Sequence, residues 1–504
     1  MKSWMGELAN HYEMMRHRYP DEKLMIVFDI DGTILDTRCM VRYVLQSYDR
    51  FRGSNYFRWL RIEEIVIDDN DISPLLERLK IPEKELESLL DWYDKHAWSE
   101  KAVLEAHRPF NGVLEVMRFF NLQPNTYVGF NTARPVSMRK EALSSINKLG
   151  EEYKLHFAQD KLALAPRPWV EDVPKSKADG IRRFQDAGYR VFAMIDNEPD
   201  NLKAIGEIDP QEEILLLQAD TILESKRNRK AAPRAIQGRV YDITELIKEK
   251  DLPSHIQLVW HGVNDSENLR QFLASDVSFA EMDVRPDSVS HRLILRHDDF
   301  HETPLGESEN LLPLNACLAA AMGHGRGVKL DLRGGGDVLD RVASALDTWG
   351  FSDDQLWFNG QVERVEESGF RYLAQKYPEA IIQCPIDFLS PLILGAPENA
   401  REILDLFSQW GINRFSIDWK TPHKRRLFDR LEAWGHKINI YNVPDLHSFI
   451  KAALLLPSSI TADFNFPKWH YFGRGPGEGL KRFQYDLASL PQDERDLDVA
   501  CSLS

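Results

Sequence analysis

Short apolar runs alternate with helical segments along nearly the whole chain, and this alternation limits the fold more than any other feature. Each run is short and continuously apolar, as a strand buried on both faces of a parallel sheet must be. In the first half the runs are residues 24–28, 126–130, 155–158, 191–195 and 214–217. In the second half there are eight: 256–260, 277–283, 328–332, 356–359, 380–384, 414–417, 437–441 and 460–463. Strand and helix taking turns predict an α/β protein. The first half is expected to form a Rossmann-like, doubly wound parallel sheet. Eight units within about 250 residues predict a TIM (β/α)8-type barrel in the second.

A chain of 504 residues is too long for one ordinary core. We expect one domain over residues 1–250 and a second over 251–504. Residues 1–20 read as an amphipathic helix ending in a turn at Tyr19-Pro20. Residues 38–108 break the strand pattern with helical periodicity, so they read as an inserted helical cap. The polar stretch 224–234 reads as a loop, and the boundary falls near 251–254.

Charge narrows the function. The net charge of −16 gives no general attraction to nucleic acid or to an anionic membrane, so no nucleic-acid partner is expected. No stretch approaches the roughly 20 apolar residues of a membrane span. The N-terminus has no signal-peptide run. Cys39, Cys317, Cys384 and Cys501 are scattered without CxxC spacing, which predicts buried thiols and not a zinc site. These features together predict a cytoplasmic protein.

Two carboxylates, Asp29 and Asp31, follow the first apolar run. A carboxylate at a strand end can attack phosphorus, and a second can protonate the leaving oxygen and then activate water. Two acids and a dianionic substrate repel one another, so a hard cation such as Mg²⁺ is required between them. Asp196, with Asp200 four residues on, follows another strand and supplies further candidate ligands. Thr132 offers a hydroxyl to a phosphoryl oxygen, and Lys177 a positive charge. Thr33 and Arg134 are candidate substrate contacts. A lone DxD is more often a loop or a helix cap; here four elements in order flank strands of one sheet, where α/β folds bind ligands.

DIDGTILDT at 29–37, FNTARP at 130–135, Lys177 and IDNEPD at 195–200 resemble the four motifs of the haloacid dehalogenase superfamily, over roughly residues 20–250. The resemblance implies Asp29 as nucleophile and Asp31 as general acid/base. It implies magnesium held by Asp29, the Asp31 carbonyl and Asp196. The second Asp implies phosphoryl transfer and not dehalogenation. Lys175 competes with Lys177 for the lysine role, and the spacing to Ile181 favours Lys177. A helical cap in this family lies where residues 38–108 lie, which favours a small phosphate ester as substrate.

The second half has its own constellation. His261 follows the first barrel strand, with Asn264, Glu267 and Asn268 close behind. Glu281 and Asp283 share one side of the next strand, and Lys329, Asp331 and Arg333 share one side of the third. His297-Asp298 follows a short apolar run at 293–295. Glu281, Asp283 and Asp331 could hold one divalent cation, Mg²⁺ or Ca²⁺. His261 and His297 could then serve as acid and base on a phosphodiester, with Asn264, Lys329 and Arg333 at the substrate. The pattern resembles glycerophosphodiester phosphodiesterase-like barrels, and more closely their menorin-type branch. HGVN at 261–264, EMDV at 281–284, KLD at 329–331 and WFN at 357–359 carry the likeness, over about residues 255–475. Two departures stand out: Gly262 replaces an Arg after the first His, and Asp331-Leu332-Arg333 replaces a Glu-x-Lys.

Other features have simpler readings. His291, His301, His324 and His470 read as surface or capping residues. Lys424-Arg425-Arg426 reads as a solvated helix face, and the aromatics at 469–472 as packing or as a wall of the barrel mouth.

Overall fold

The computed structural model describes residues 3–463, apart from 66–71, 98, 167–171, 222–230, 248–250, 276, 288–289, 291 and 307–310. His291, His470, the aromatics at 469–472, Cys501 and residues 224–230 of the polar loop lie outside the described residues. The chain divides into two compact units, Met1–Ile247 and Lys248–Ser504.

The first unit is built on six parallel strands. They are β1 (Lys23–Phe28), β2 (Thr126–Pro135), β3 (Leu162–Ala165), β4 (Tyr189–Asp196), β5 (Leu215–Ala219) and β6 (Ile236–Gly238). Their order is β3-β2-β1-β4-β5-β6. The chain therefore winds outward from β1 in both directions. The winding reverses between β1 and β4, and the crevice at the C-terminal ends of strands at such a switch point is where these sheets bind ligands. Five of the β1 residues are buried, which is why the run is apolar throughout.

One strand lies later than its apolar run suggests. Leu155 and Phe157 are buried, but β3 begins at Leu162. Asn147 takes up the backbone of Phe157 instead: its Oδ1 accepts from the Phe157 N–H (2.7 Å) and its Nδ2 donates to the Phe157 carbonyl (3.1 Å). A backbone occupied by a side chain is not free to join the ladder.

The insertion after β1 is helical, with helices Thr37–Arg52, Ser73–Arg78, Glu83–His96 and Glu100–Ala106. It has a core of its own, centred on Met40, Val44, Tyr48, Phe57, Leu75, Leu89 and Tyr93.

The second unit is a closed barrel. Its strands are β7 (Gln257–Trp260), β8 (Phe279–Pro286), β9 (Leu293–Leu295), β10 (Gly327–Leu332), β11 (Leu356–Gly360), β12 (Ile381–Pro385), β13 (Arg414–Asp418), β14 (Ile438–Val443) and β15 (Ser459–Ala462). Eight of them run parallel in the order β10-β11-β12-β13-β14-β15-β7-β8, and β8 pairs back onto β10 to close the ring. The ninth, β9, is antiparallel to β8 and forms a hairpin on the barrel wall. All eight expected strands are present. Val259, Phe279 and Trp357, with Ile381 against them, form an apolar cluster among the described residues.

The cluster 424–426 is not uniformly solvated. It opens the helix Lys424–Ala433, and Arg425 is buried with Leu427, Phe428 and Leu431. Successive helical residues turn by about 100°, so a run of three charges cannot keep to one face. Lys424 lies over the Trp419 ring at 4.5 Å. His301 and His324 are exposed, and His324 Nδ1 bonds the Ala320 carbonyl at its helix end. Cys317 and Cys384 are buried as expected, whereas Cys39 is only half-buried. Among the described residues, no helix is long and apolar enough to cross a membrane.

Candidate active sites

In the first unit the crevice gathers residues from three strand ends and one helix. Asp29 follows β1, and its N–H donates to the Ile195 carbonyl of β4 (2.8 Å). Asp196 ends β4 and is fully buried. Lys177 comes from the helix Val173–Asp186, which Asp172 caps by accepting from the Lys175 N–H (3.0 Å). That cap uses Lys175 at the helix start and leaves Lys177 one turn in, facing the sheet. The Lys177 ammonium donates to Asp29 Oδ1 (2.5 Å), to Asp196 Oδ2 (2.8 Å) and to the Asn131 carbonyl (2.7 Å). The helix comes this close because residue 180 is glycine: a Cβ there would sit 2.3 Å from Asn131 Oδ1.

Thr33 holds the loop. Its hydroxyl donates to Asp29 Oδ2 (3.3 Å) and accepts from the Asn197 N–H (3.0 Å). Gly32 lies at φ +79°, in the left-handed region. With its amide nitrogen toward the loop, Asn197 donates to the Asp31 carbonyl (3.1 Å) and to Asp29 Oδ2 (3.2 Å). Tyr241 and Thr221 tie the same loop from later in the chain, donating to the carbonyls of Thr33 (2.9 Å) and Gly32 (2.5 Å). Thr132 is buried in β2, its hydroxyl accepting from the Arg134 N–H (3.2 Å). Asp200 lies in the first turn of the helix Pro199–Glu207.

Arg134, expected at the substrate, grips Asp31 in a two-pronged pair: Nε to Oδ2 at 2.8 Å and Nη2 to Oδ1 at 2.6 Å. Burial pushes the Asp31 carboxyl up, but the Arg134 guanidinium outweighs it and holds the group below the usual carboxylate range. Asp29 differs. Burial raises it, Lys177 opposes this, and nearby Asp196 and Asp31 raise it further, leaving it above the usual range. Three carboxylates share one ammonium and one guanidinium, which leaves one negative charge over, and all their donor atoms are oxygen. That chemistry fits a hard divalent cation.

In the second unit Glu281, Asp283 and Asp331 converge, with one oxygen of each within 4.8 Å of the others. The register explains it: Asp331 lies opposite Asp283, and Lys329 opposite Glu281, across β8 and β10. Among the described residues this is the one such acidic group. It also fits a hard divalent cation. Arg333, expected at the substrate, lies on two of its members. It donates to Asp283 Oδ1 through Nε (2.9 Å) and pairs with Asp331 Oδ2 (2.7 Å). Asn264 Nδ2 donates to Asp283 Oδ2 (2.5 Å), and Asn359 Nδ2 to Asp331 Oδ1 (2.7 Å).

His261 stands beside the triad. Its Nδ1 bonds Asp463 Oδ1 (2.7 Å), and its Nε2 lies 3.9 Å from Glu281. Burial lowers the imidazole pKa, but Asp463 and Glu281 more than offset this and push it up to about 9. His297 bonds Asp298 through Nδ1 (2.8 Å). Burial pushes the Asp283 carboxyl up, but the Arg333 guanidinium outweighs it and holds the group below the usual carboxylate range. Lys329 lies deeper, donating to Thr461 Oγ1 (3.0 Å) and sitting over the Trp357 ring at 5.1 Å. Asp463 follows the last barrel strand, and its role as the partner of His261 depends on β15 closing against β7.

No family model and no curated protein sequence matches the chain. Solved structures do resemble parts of it. A phosphodiesterase from Oleispira antarctica, in complex with sn-glycerol-3-phosphate, shares 14% identity over 42% of this chain and 93% of its own, with a TM-score of 0.32. A glycerophosphodiester phosphodiesterase from Agrobacterium tumefaciens shares 17% over 41% of this chain and 96% of its own, with a TM-score of 0.31. A haloacid dehalogenase-like hydrolase from Streptococcus pneumoniae shares 13% over 43% of this chain and 93% of its own, with a TM-score of 0.28. Each of these likenesses covers about two-fifths of the chain.

Proposed function

We propose that the chain is a metal-dependent phosphoester hydrolase with two sites. The observation that carries this reading is the Lys177 ammonium shared by Asp29 and Asp196 at the ends of two adjacent parallel strands. In the first unit Asp29 attacks phosphorus and forms an aspartyl-phosphate as the ester P–O bond breaks. The leaving oxygen takes a proton from water, because Arg134 keeps Asp31 in its carboxylate form. Lys177 offsets charge on the nucleophile and on the phosphoryl oxygens. Thr132 offers a hydroxyl to one of those oxygens. Asp31, held as a carboxylate by Arg134, is set to take the proton of the water that releases phosphate. Asp29, the Asp31 carbonyl and Asp196, with Asp200 nearby, would hold Mg²⁺. The ion would neutralise the repulsion between these acids and a dianionic ester.

In the barrel, Glu281, Asp283 and Asp331 would hold Mg²⁺ or Ca²⁺. His261 and His297 would move protons on and off a phosphodiester. Cleavage there would release a phosphomonoester, the substrate class of the first unit. Linkage in one chain raises the local concentration of that product. The test is to purify Asp29→Asn and His297→Ala separately and follow phosphate release from a panel of diesters and monoesters. Loss of monoester turnover in the first and of diester turnover in the second supports the scheme. If neither variant loses turnover of any panel member, it fails.

A second reading keeps the phosphatase and makes the barrel a binding module. Arg333 favours it, because a protein cation already bridges Asp283 and Asp331. Crystals soaked in Mg²⁺ or Ca²⁺ discriminate: density among the triad supports catalysis, and its absence supports binding alone.

A further inference from the structure

Below the acidic triad the barrel interior is polar, and its hydrogen bonding is one-sided. Arg414 is 5% exposed and reaches inward from β13. Its Nη1 donates to Gln257 Oε1 (2.7 Å) and Ser459 Oγ (3.2 Å), and its guanidinium lies over the Trp357 ring at 4.6 Å. Ser459 in turn donates to Asn439 Oδ1 (2.8 Å), as does Thr461 (3.2 Å), and Thr461 receives the Lys329 ammonium. One chain of bonds thus runs from Arg414 through Ser459, Asn439 and Thr461 to Lys329.

Three buried donors in this cluster have no acceptor: Arg414 Nε, Asn439 Nδ2 and Trp357 Nε1. One acceptor, Gln383 Oε1, is also unpaired. Buried polar groups without a partner are costly, and native interiors satisfy nearly all of them. Charge leans the same way. Lys329 has Glu281 and Asp331 to offset it, whereas Arg414 has no carboxylate among its hydrogen-bond partners. Burial alone pulls the Arg414 pKa down to about 10. A water molecule accepts two hydrogen bonds at most and must donate two more. A monatomic anion accepts from several donors, donates nothing and offsets a positive charge.

We infer that the barrel interior binds a small monovalent inorganic anion, chloride in solution, between Arg414 Nε, Asn439 Nδ2 and Trp357 Nε1. The ion is structural. It lies a layer below the triad and lets the barrel bury a guanidinium without a carboxylate. The inference does not depend on the barrel being catalytic.

The probe is bromide. Crystals of the full chain grown in sodium bromide are expected to show one anomalous peak within about 3.5 Å of Arg414 Nε and Asn439 Nδ2. In solution, the thermal midpoint of the full chain is expected to rise with chloride and not with gluconate at matched ionic strength. Arg414→Met should abolish that difference. Trp357→Phe, which removes one donor and keeps the ring, should weaken it and serves if Arg414→Met does not fold. No bromide peak, together with equal midpoints in chloride and gluconate, would overturn the inference and leave water as the occupant.

Discussion

Replacing Lys177 with methionine tests the first site most directly. The ammonium is buried with Asp29 and Asp196, which are 6% and 0% exposed, and it makes three bonds of 2.5–2.8 Å. Methionine fills most of its volume but leaves two buried carboxylates without their cation. Removing one partner of such a pair costs about 3–5 kcal/mol of stability. Asp29→Asn alone leaves Lys177 on Asp196 and Asn131, so its cost should be about 1–2 kcal/mol. In the double variant one of the two stranded charges is gone. The pair should therefore be non-additive by about 2 kcal/mol, with the double variant more stable than the sum of single effects implies. Urea unfolding of the four proteins measures this. Adding Mg²⁺ should recover much of the loss in Lys177→Met and little in the double variant. Turnover of a phosphomonoester by Lys177→Met should fall about 10²–10³-fold. Costs that add within about 0.5 kcal/mol would refute the shared-ammonium geometry.

Three further outcomes are expected. Arg134→Lys keeps the charge but loses the two-pronged grip on Asp31, so kcat should fall about 10–100-fold with KM little changed; an unchanged kcat would show that Asp31 needs no such positioning. His107 is buried against Ser145, and burial, with Arg134 nearby, lowers its pKa from 6.5 to about 4. Its neutral form thus contributes stability that is full above pH 6.5 and lost as the pH falls toward 4, about 3 kcal/mol in all. His107→Gln should flatten the pH dependence of unfolding in that window, and an unchanged slope would contradict this. Finally, if a cation must displace Arg333 from Asp283 and Asp331, Arg333→Met should tighten Ca²⁺ binding by about tenfold in calorimetry. An equal or weaker affinity would show that the guanidinium does not compete.

Much of the fold was legible because burial on two faces forces an unbroken apolar run, as in β1, and because alternation along a strand puts Glu281 and Asp283 on one side. The elements missed are those whose signal is weak or non-local. β6 has only three residues, none of them buried. β9 becomes a strand only by pairing back onto β8. Residues 155–158 have the composition of a strand, yet Asn147 takes the Phe157 backbone.

The chemistry divides in the same way. By itself the sequence determined which acidic, basic and hydroxyl residues stand at strand ends, since strand periodicity is a local property of the chain. Only the tertiary structure decided their partners. Arg134 meets Asp31 across 103 residues, Lys177 meets Asp29 across 148, and His261 meets Asp463 across 202. Lys175 and Lys177 look alike in sequence, and a helix cap at Asp172 together with a glycine at 180 sends the second into the crevice. Pairings like these depend on sheet order and barrel closure, which arise when distant segments bury one another.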